Sequence, residues 1–216
     1  SMNSVQFAWW LPSLLEGLRV TLGASVIAII TSLIWGAVIA MLVAYDNKVI
    51  TAIMRVYISI FRNTPLLVIM FFCFYGLPLL GIGWSGLVCG ILAITLNEGA
   101  FVAELIRGSI KNIPSGEIEA ACSLGLKKGQ VMRKVIFPLG FRNAIPMLTG
   151  QASVIVKDTS LFSLIMLVDL SRAGGIFYDK YLSSVSIWIV AVLYVIIFLV
   201  FTQLGRIVEK KLMVRR

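Results

Sequence analysis

The sequence contains no histidine, and only 13% of its 216 residues are charged. Without imidazole there is no His-based metal centre and no histidine general base. The three cysteines, Cys73, Cys89 and Cys122, form no Cys-x-x-Cys pair. That removes a disulfide framework and leaves them as small apolar fillers. Soluble domains are about 25% charged and about 45–50% apolar. Here 59% of residues are apolar and the mean hydropathy is +0.98, which excludes a soluble globule. No Walker A sequence occurs, so the chain has no P-loop for ATP. Residues 1–18 lack the positive n-region of a secretory signal, and Ser1 before Met2 reads as a tag remnant.

What the sequence has instead is three long uncharged runs, of 26 residues between Arg19 and Asp46, 35 between Arg62 and Glu98, and 25 between Lys180 and Arg206. Each exceeds the roughly 20 residues with which a helix crosses about 30 Å of hydrocarbon. The middle run is broken by Gly76-Leu77-Pro78-Leu79-Leu80-Gly81-Ile82-Gly83, a turn sequence that separates two helices. The expected architecture is therefore one all-α membrane domain covering 1–216. Its five transmembrane helices are placed at about 20–44, 58–78, 85–108, 140–167 and 182–205, with a polar segment at 109–137. Fifteen of the nineteen basic residues, among them Lys48, Arg55, Arg62, Arg107, Lys111, Lys127, Lys128 and the tail Arg206 to Arg216, fall on one side of that topology. The positive-inside rule puts that side in the cytoplasm, the N-terminus outside and the C-terminus inside. Topology thus accounts for the net charge of +9 without nucleic acid.

Gly81-Ile82-Gly83-Trp84-Ser85-Gly86 fits G-x-G-x-x-G, but a dinucleotide site needs that pattern between a strand and a helix, and here it lies between two spans. Gly86-x-x-x-Gly90 reads as a close helix contact.

Within the polar segment, residues 115–123 suit a short helix, with Ser115 as N-cap and Glu117 and Glu119 complementing the dipole. Gly125 takes a positive φ and turns the chain, and 127–136 suits a second short helix on which Val131 and Val135 share a face. Pro138 opens the next span. This two-helix knuckle suits docking into a groove of another protein.

Glu119-Ala120-Ala121, Gly125 and Pro138 resemble the EAA loop of ABC transporter permeases, in which E-A-A, three residues, G and nine residues precede I-x-L-P. Here that last stretch reads Val135-Ile136-Phe137-Pro138. Arg62-Asn63-Thr64-Pro65-Leu66-Leu67 is similar to the R-G-T-P-L-L of polar amino acid permeases. Gly99-Ala100-Phe101-Val102-Ala103-Glu104-Leu105-Ile106-Arg107 resembles their G-A-Y-x-x-E-x-x-R, and Lys157-Asp158-Thr159-Ser160-Leu161 their K-x-[ST]-S-L. The resemblance covers nearly the whole chain. It implies an importer in a bacterial cytoplasmic membrane that pairs with a second permease, identical or related, and works with an extracytoplasmic solute-binding protein. Two ATPase subunits would receive the EAA loops, with ATP and magnesium bound there and no cofactor held by this chain.

Charged groups near the bilayer centre are functional or paired. Glu98 falls near the middle of the third span. Glu104 and Arg107, three residues apart, read as a structural pair. Gln151 and Asp158, seven apart, are nearly aligned on the fourth span, with Lys157 about 100° round the helix. Glu98, Gln151, Lys157 and Asp158 are the candidates for a pocket that binds an amino-acid zwitterion. The alternative is that Lys157 and Asp158 only join helices. In similar permeases for dibasic substrates, an acidic residue stands six positions before the Lys. Gln151 in that place tilts the expectation toward glutamine, glutamate or aspartate, with basic amino acids or cystine as the alternative. A secondary transporter or a channel is the remaining reading, but no internal repeat of the kind such transporters carry is present.

Overall fold

The structure is a computed structural model that describes residues 3–44 and 47–213. Ser1 and Met2, Asp46 at the end of the first uncharged run, and Arg215 and Arg216 of the basic tail lie outside the described residues. The described elements are all helical, as expected from the composition. In chain order they are α1 (Ser4–Ala44), α2 (Lys48–Asn63), α3 (Leu66–Phe71), α4 (Gly86–Lys111), α5 (Ser115–Ser123), α6 (Lys128–Val131), α7 (Phe137–Asp158), α8 (Leu170–Tyr181) and α9 (Val185–Met213). Among the described residues, α1, α4 and α9 are long and apolar enough to cross a membrane singly, and α2 with the run Leu66–Leu80 makes a fourth if that bent pair counts as one span.

The first helix begins well before the predicted start at 20 and runs for 41 residues, about 60 Å at 1.5 Å per residue. Glu16 and Arg19 mark where the helix surface becomes polar, not where the helix ends; both are exposed along its length. Its early turns are fastened to α8. The Trp10 indole N–H donates to Ala173 O at 2.7 Å, the Lys180 ammonium lies 3.4 Å from the Trp9 ring centroid, and the Leu170 N–H donates to Thr21 Oγ1 at 3.1 Å.

The predicted single span at 58–78 is divided. Thr64 is extended, with φ −96° and ψ 128°, because a residue before proline is pushed out of the α region by the Pro65 ring. The chain bends by 103° between α2 and the Leu66–Leu80 run. Asn97 on α4 holds the break, its Nδ2 donating to Phe61 O at 2.6 Å and to Thr64 O at 3.3 Å. Further on, Phe72–Gly76 forms a π turn and Leu77–Leu80 a 3-10 turn. The π turn has a local cause: Pro78 has no N–H and its ring crowds the carbonyl four residues back, so the ladder slips to the i−5 acceptor. The Leu77 N–H accordingly bonds Phe72 O.

α4 starts at an N-cap in which Ser85 Oγ accepts from the Val88 N–H. It packs against α1, α2, α3 and α7, and its approach to α1 is set by glycine. A Cβ on Gly36 would stand 2.4 Å from Val102 Cγ1 and 2.7 Å from Gly99 O, and one on Gly99 would stand 2.7 Å from Trp35 Cδ1. The contact expected from Gly86-x-x-x-Gly90 is made with the 3-10 segment Thr159–Ile165, whose Phe162 ring lies where a Gly90 Cβ would sit.

Two further boundaries differ from expectation. α7 occupies the place of the predicted span at 140–167 but stops at Asp158, where the chain tightens into that 3-10 segment. α8, which the sequence reading leaves as loop, forms because Asp169 caps it, accepting from the Ser171 and Arg172 N–H groups at 3.1 and 3.0 Å.

A Gly36→Val substitution should cost about 1–3 kcal/mol by overpacking, read as a lower unfolding midpoint in detergent, whereas Gly23→Ala, where nothing lies within 4 Å, should cost none. An unchanged midpoint for Gly36→Val would contradict the close α1–α4 approach.

Candidate functional site

Two groups of side chains stand out, one on the polar segment and one among the long helices. On the polar segment, α5 begins at Ser115, and Pro114, not Ser115, occupies the N-cap position without a side-chain bond. Proline fits that junction through its fixed φ, here −57°. Glu119 and Ala120 are exposed, while Ala121 is only 5% exposed and packs inward. The helix closes in a Schellman motif: the Gly125 N–H donates to Cys122 O at 2.9 Å and the Leu126 N–H to Ala121 O at 3.4 Å. Gly125 has φ +78°, a conformation that costs other residues roughly 1–2 kcal/mol. Ala121 therefore both packs and accepts the closing bond.

The predicted second helix at 127–136 is shorter and runs on into α7. The Lys127 N–H donates to Gln130 Oε1 at 2.9 Å and starts α6. Met132–Ile136 is a π turn, and α7 continues from it without a break. Pro138 thus lies inside a continuous rod from Lys128 to Asp158, not at its start. The geometry repeats that at Pro78, since the Phe137 N–H bonds Met132 O, five residues back. Of the two valines expected on one face, Val131 is buried and Val135 half-buried. Leu124, in the turn between α5 and α6, is 82% exposed.

Among the long helices, Gln151 on α7 donates through Nε2 to Glu98 Oε2 on α4. The Asp158 carboxyl interacts with the same Glu98. Glu98 is only 4% exposed. Three of the four pocket candidates are therefore brought together. Lys157 is not with them: it is exposed, and its ammonium lies 4.9 Å from the Phe198 ring centroid on α9. One residue step of about 100° separates it from Asp158. The grouped polar atoms are then two carboxyls and a carboxamide, which suit a cationic or amide-bearing group.

Glu104 and Arg107 form the expected pair, with Arg107 Nε donating to Glu104 Oε2 at 2.8 Å and Nη2 to Oε1. Arg62 joins from α2, 4.0 Å from Glu104 Oε1 and over the Phe101 ring at 5.1 Å. Two segments far apart in sequence thus meet at one carboxylate. Sequence reading misses the neutral ties beside these groups. The Tyr57 hydroxyl donates to Leu96 O at 2.6 Å and accepts from the Trp35 indole at 2.8 Å, and Thr31 and Thr95 hydroxyls meet at 2.6 Å. Charge patterning gives no signal for any of them; the polar residues in otherwise apolar runs are the only clue.

A sequence model of the family described as binding-protein-dependent transport system inner membrane component matches residues 32–214. The glutamine transport system permease protein GlnP of Escherichia coli K12 is 32% identical over 216 residues, covering 96% of this chain and 99% of that protein. Among solved structures, an amino acid ABC transporter with histidines matches with a TM-score of 0.88 at 29% identity, covering 98% of this chain and 99% of that one. The inward-facing MetNI methionine ABC transporter matches with a TM-score of 0.81 at 19% identity over 98% of this chain and 99% of that one, a likeness of fold alone.

Gly125→Ala should loosen the knuckle, with amide hydrogen exchange across 122–126 rising about 5- to 30-fold, the equivalent of about 1–2 kcal/mol. Gly129→Ala, where φ is ordinary and nothing lies within 4 Å, should leave it unchanged. Equal exchange in the two variants would contradict a strained turn at Gly125.

Proposed function

The chain belongs to the family of binding-protein-dependent transport system inner membrane components, and from that membership we propose that it forms half of the membrane pathway of an ATP-driven importer for polar amino acids, with glutamine as the first candidate. Its own part is transport; ATP and magnesium belong to a separate ATPase subunit. The chain crosses the inner membrane five times, through α1, the bent α2–α3 run, α4, α7 and α9. The N-terminus lies outside, and the knuckle and C-terminus lie in the cytoplasm, where the basic residues concentrate. A second permease chain completes the pathway, two ATPase subunits receive the two knuckles, and an extracytoplasmic binding protein delivers the substrate.

One observation carries this reading above the others. The helical rod from Lys128 to Asp158 begins at the knuckle and ends at the polar cluster. A displacement of α5 by an ATPase would cross the short turn at 124–127 and then run along this continuous helix to Gln151 and Asp158. Glu119 and Ala120 are exposed for docking, and the Schellman turn at Gly125 fixes the angle between α5 and the rod. Two groups in this segment, Glu119 with its charge and Leu124 with its bare apolar side chain, suit a groove with a basic rim.

The polar cluster supports the substrate class. Glu98 and Asp158 accept from an α-ammonium, and Gln151 complements a side-chain amide. The named relative, a glutamine permease, supports the same choice. With the Lys157 ammonium over Phe198, no cation among the described residues forms an ion pair with Glu98 or Asp158 to favour glutamate or aspartate. The same observation supports a second reading, a basic amino acid drawn to the two carboxyls.

Glu119→Lys should reduce amino-acid uptake by the assembled transporter at least about tenfold, as loss of a docking contact of ~1.4 kcal/mol would, while ATP hydrolysis persists. Wild-type uptake by this variant would refute the coupling role. Gln151→Glu should shift the stimulation of ATP hydrolysis from glutamine toward arginine, about tenfold in ratio for ~1.4 kcal/mol. An unchanged ratio would remove Gln151 from the substrate pathway.

A further inference from the structure

A second polar cavity, separate from the Glu98 cluster and from the knuckle, opens between α2 and the last two turns of α4. It has a volume of about 520 Å³ and is lined by Arg55, Ser59, Arg62, Glu104, Arg107 and Lys111, with Ile58 and Asn63 beside them. Each helix contributes a single stripe: Arg55, Ser59 and Arg62 at i, i+4 and i+7, and Glu104, Arg107 and Lys111 at i, i+3 and i+7. Four cations face one carboxylate, a formal charge of +3. Glu104 is engaged by Arg107 and Arg62, whereas neither Arg55 nor Lys111 has an ion-pair partner within 4 Å among the described residues. A cavity so charged holds an anion with several acceptor oxygens, and arginine forks match phosphate.

The remaining faces of α2 say where that anion comes from. Met54, Tyr57, Ile58 and Phe61 pack inward, whereas Val49, Ile53, Val56 and Ile60 are all more than half exposed and form a second stripe. At 100° per residue this apolar stripe is centred roughly 125° from the basic one, so the two adjoin on the helix surface. The 103° bend at Thr64-Pro65 carries α2 away from the direction of the apolar run beyond it. As the first arm of that bent span, α2 enters at the level where hydrocarbon meets headgroups. A bound anion would place its charge in the cavity and any attached acyl chains along Val49, Ile53, Val56 and Ile60. Free phosphate uses only the first half of this arrangement; a phospholipid uses both.

We propose that the cavity between α2 and α4, built on Arg55, Arg62, Arg107 and Lys111, binds the headgroup of an anionic phospholipid on the membrane side that carries the knuckle. The site is independent of which amino acid is transported. It fits a basic pocket between membrane helices that selects anionic lipid.

The test uses the full chain purified with its partner subunits, exposed to equal amounts of phosphatidylglycerol and phosphatidylcholine, with retained lipid counted by native mass spectrometry. Phosphatidylglycerol should be retained preferentially. The double variant Arg55→Gln/Lys111→Gln should lower the ratio about 25-fold, about fivefold for each charge removed, while Arg55→Lys, which keeps the charge and loses only the fork, should lower it less than about fivefold. Equal retention of the two lipids, or an unchanged ratio in the double variant, would overturn the proposal. So would displacement of phosphatidylglycerol by an equal concentration of inorganic phosphate, which would assign the cavity to the free ion. A smaller fraction of paired permease chains in the double variant with an unchanged lipid ratio would assign it to a carboxylate of the partner chain, and would likewise overturn the lipid site. Amino-acid-stimulated ATP hydrolysis, measured in parallel, reports on the permease reading separately.

Discussion

The close approach of α1 and α4 at Gly36 and Gly99 is the constraint on which the other positions depend. Lipid tails are as apolar as leucine, so the packing of two membrane helices gains little from burial alone and relies on backbones coming near enough for dense contact. Removing the side chains at these two positions allows it. α4 is thereby fixed against the longest helix in the molecule, and α4 carries Asn97, Glu98, Glu104 and Arg107. Each of the polar arrangements then depends on α4: the brace across the Thr64-Pro65 break, the cluster with Gln151 and Asp158, and the basic cavity with α2. A shift of α4 by the width of a methyl group would alter all three together.

Two prolines shape the rest by the same chemistry. Pro78 and Pro138 each lack an N–H and each come after a π turn that ends two residues earlier. In the first case the helix ends soon afterwards in a 3-10 turn; in the second it continues for the full length of α7. The different outcome lies downstream, where Leu79, Leu80 and Gly81 lead into a turn with Gly81 at φ +81°, while Leu139 to Ile145 continue as helix. The continuous rod links the knuckle to the cluster of Glu98, Gln151 and Asp158. Its π turn, of a kind found often at functional sites, lies directly beside the segment proposed to meet the ATPase.

Much of this was legible in the sequence, and the parts that were not share a cause. Uncharged runs located α1, α4 and α9, the Glu104–Arg107 spacing gave their pair, and Gly125 gave the left-handed turn. Charge is a good marker of where hydrocarbon ends and a poor one of where helix ends. Hence α1 continues through Arg19 and Glu16, and α7 begins within what reads as a cytoplasmic loop. The bend at Thr64-Pro65 was present as a motif, but its angle depends on Asn97, 33 residues further on. The direction of Lys157 depends on Phe198, which no local pattern links to it. Neutral partners such as Tyr57, Thr31 and Thr95 gave no signal beyond a polar residue in an apolar run, because a hydrogen bond between two uncharged side chains leaves no trace in charge or periodicity. The cap at Asp169, which starts α8, was not read from the sequence.

The most direct measurement is accumulation of labelled glutamine in proteoliposomes that contain this permease, its ATPase and its binding protein, with ATP enclosed on the ATPase side. Uptake against a gradient that requires hydrolysable ATP is the expected result. Equal glutamine flux with and without ATP would contradict a coupled permease.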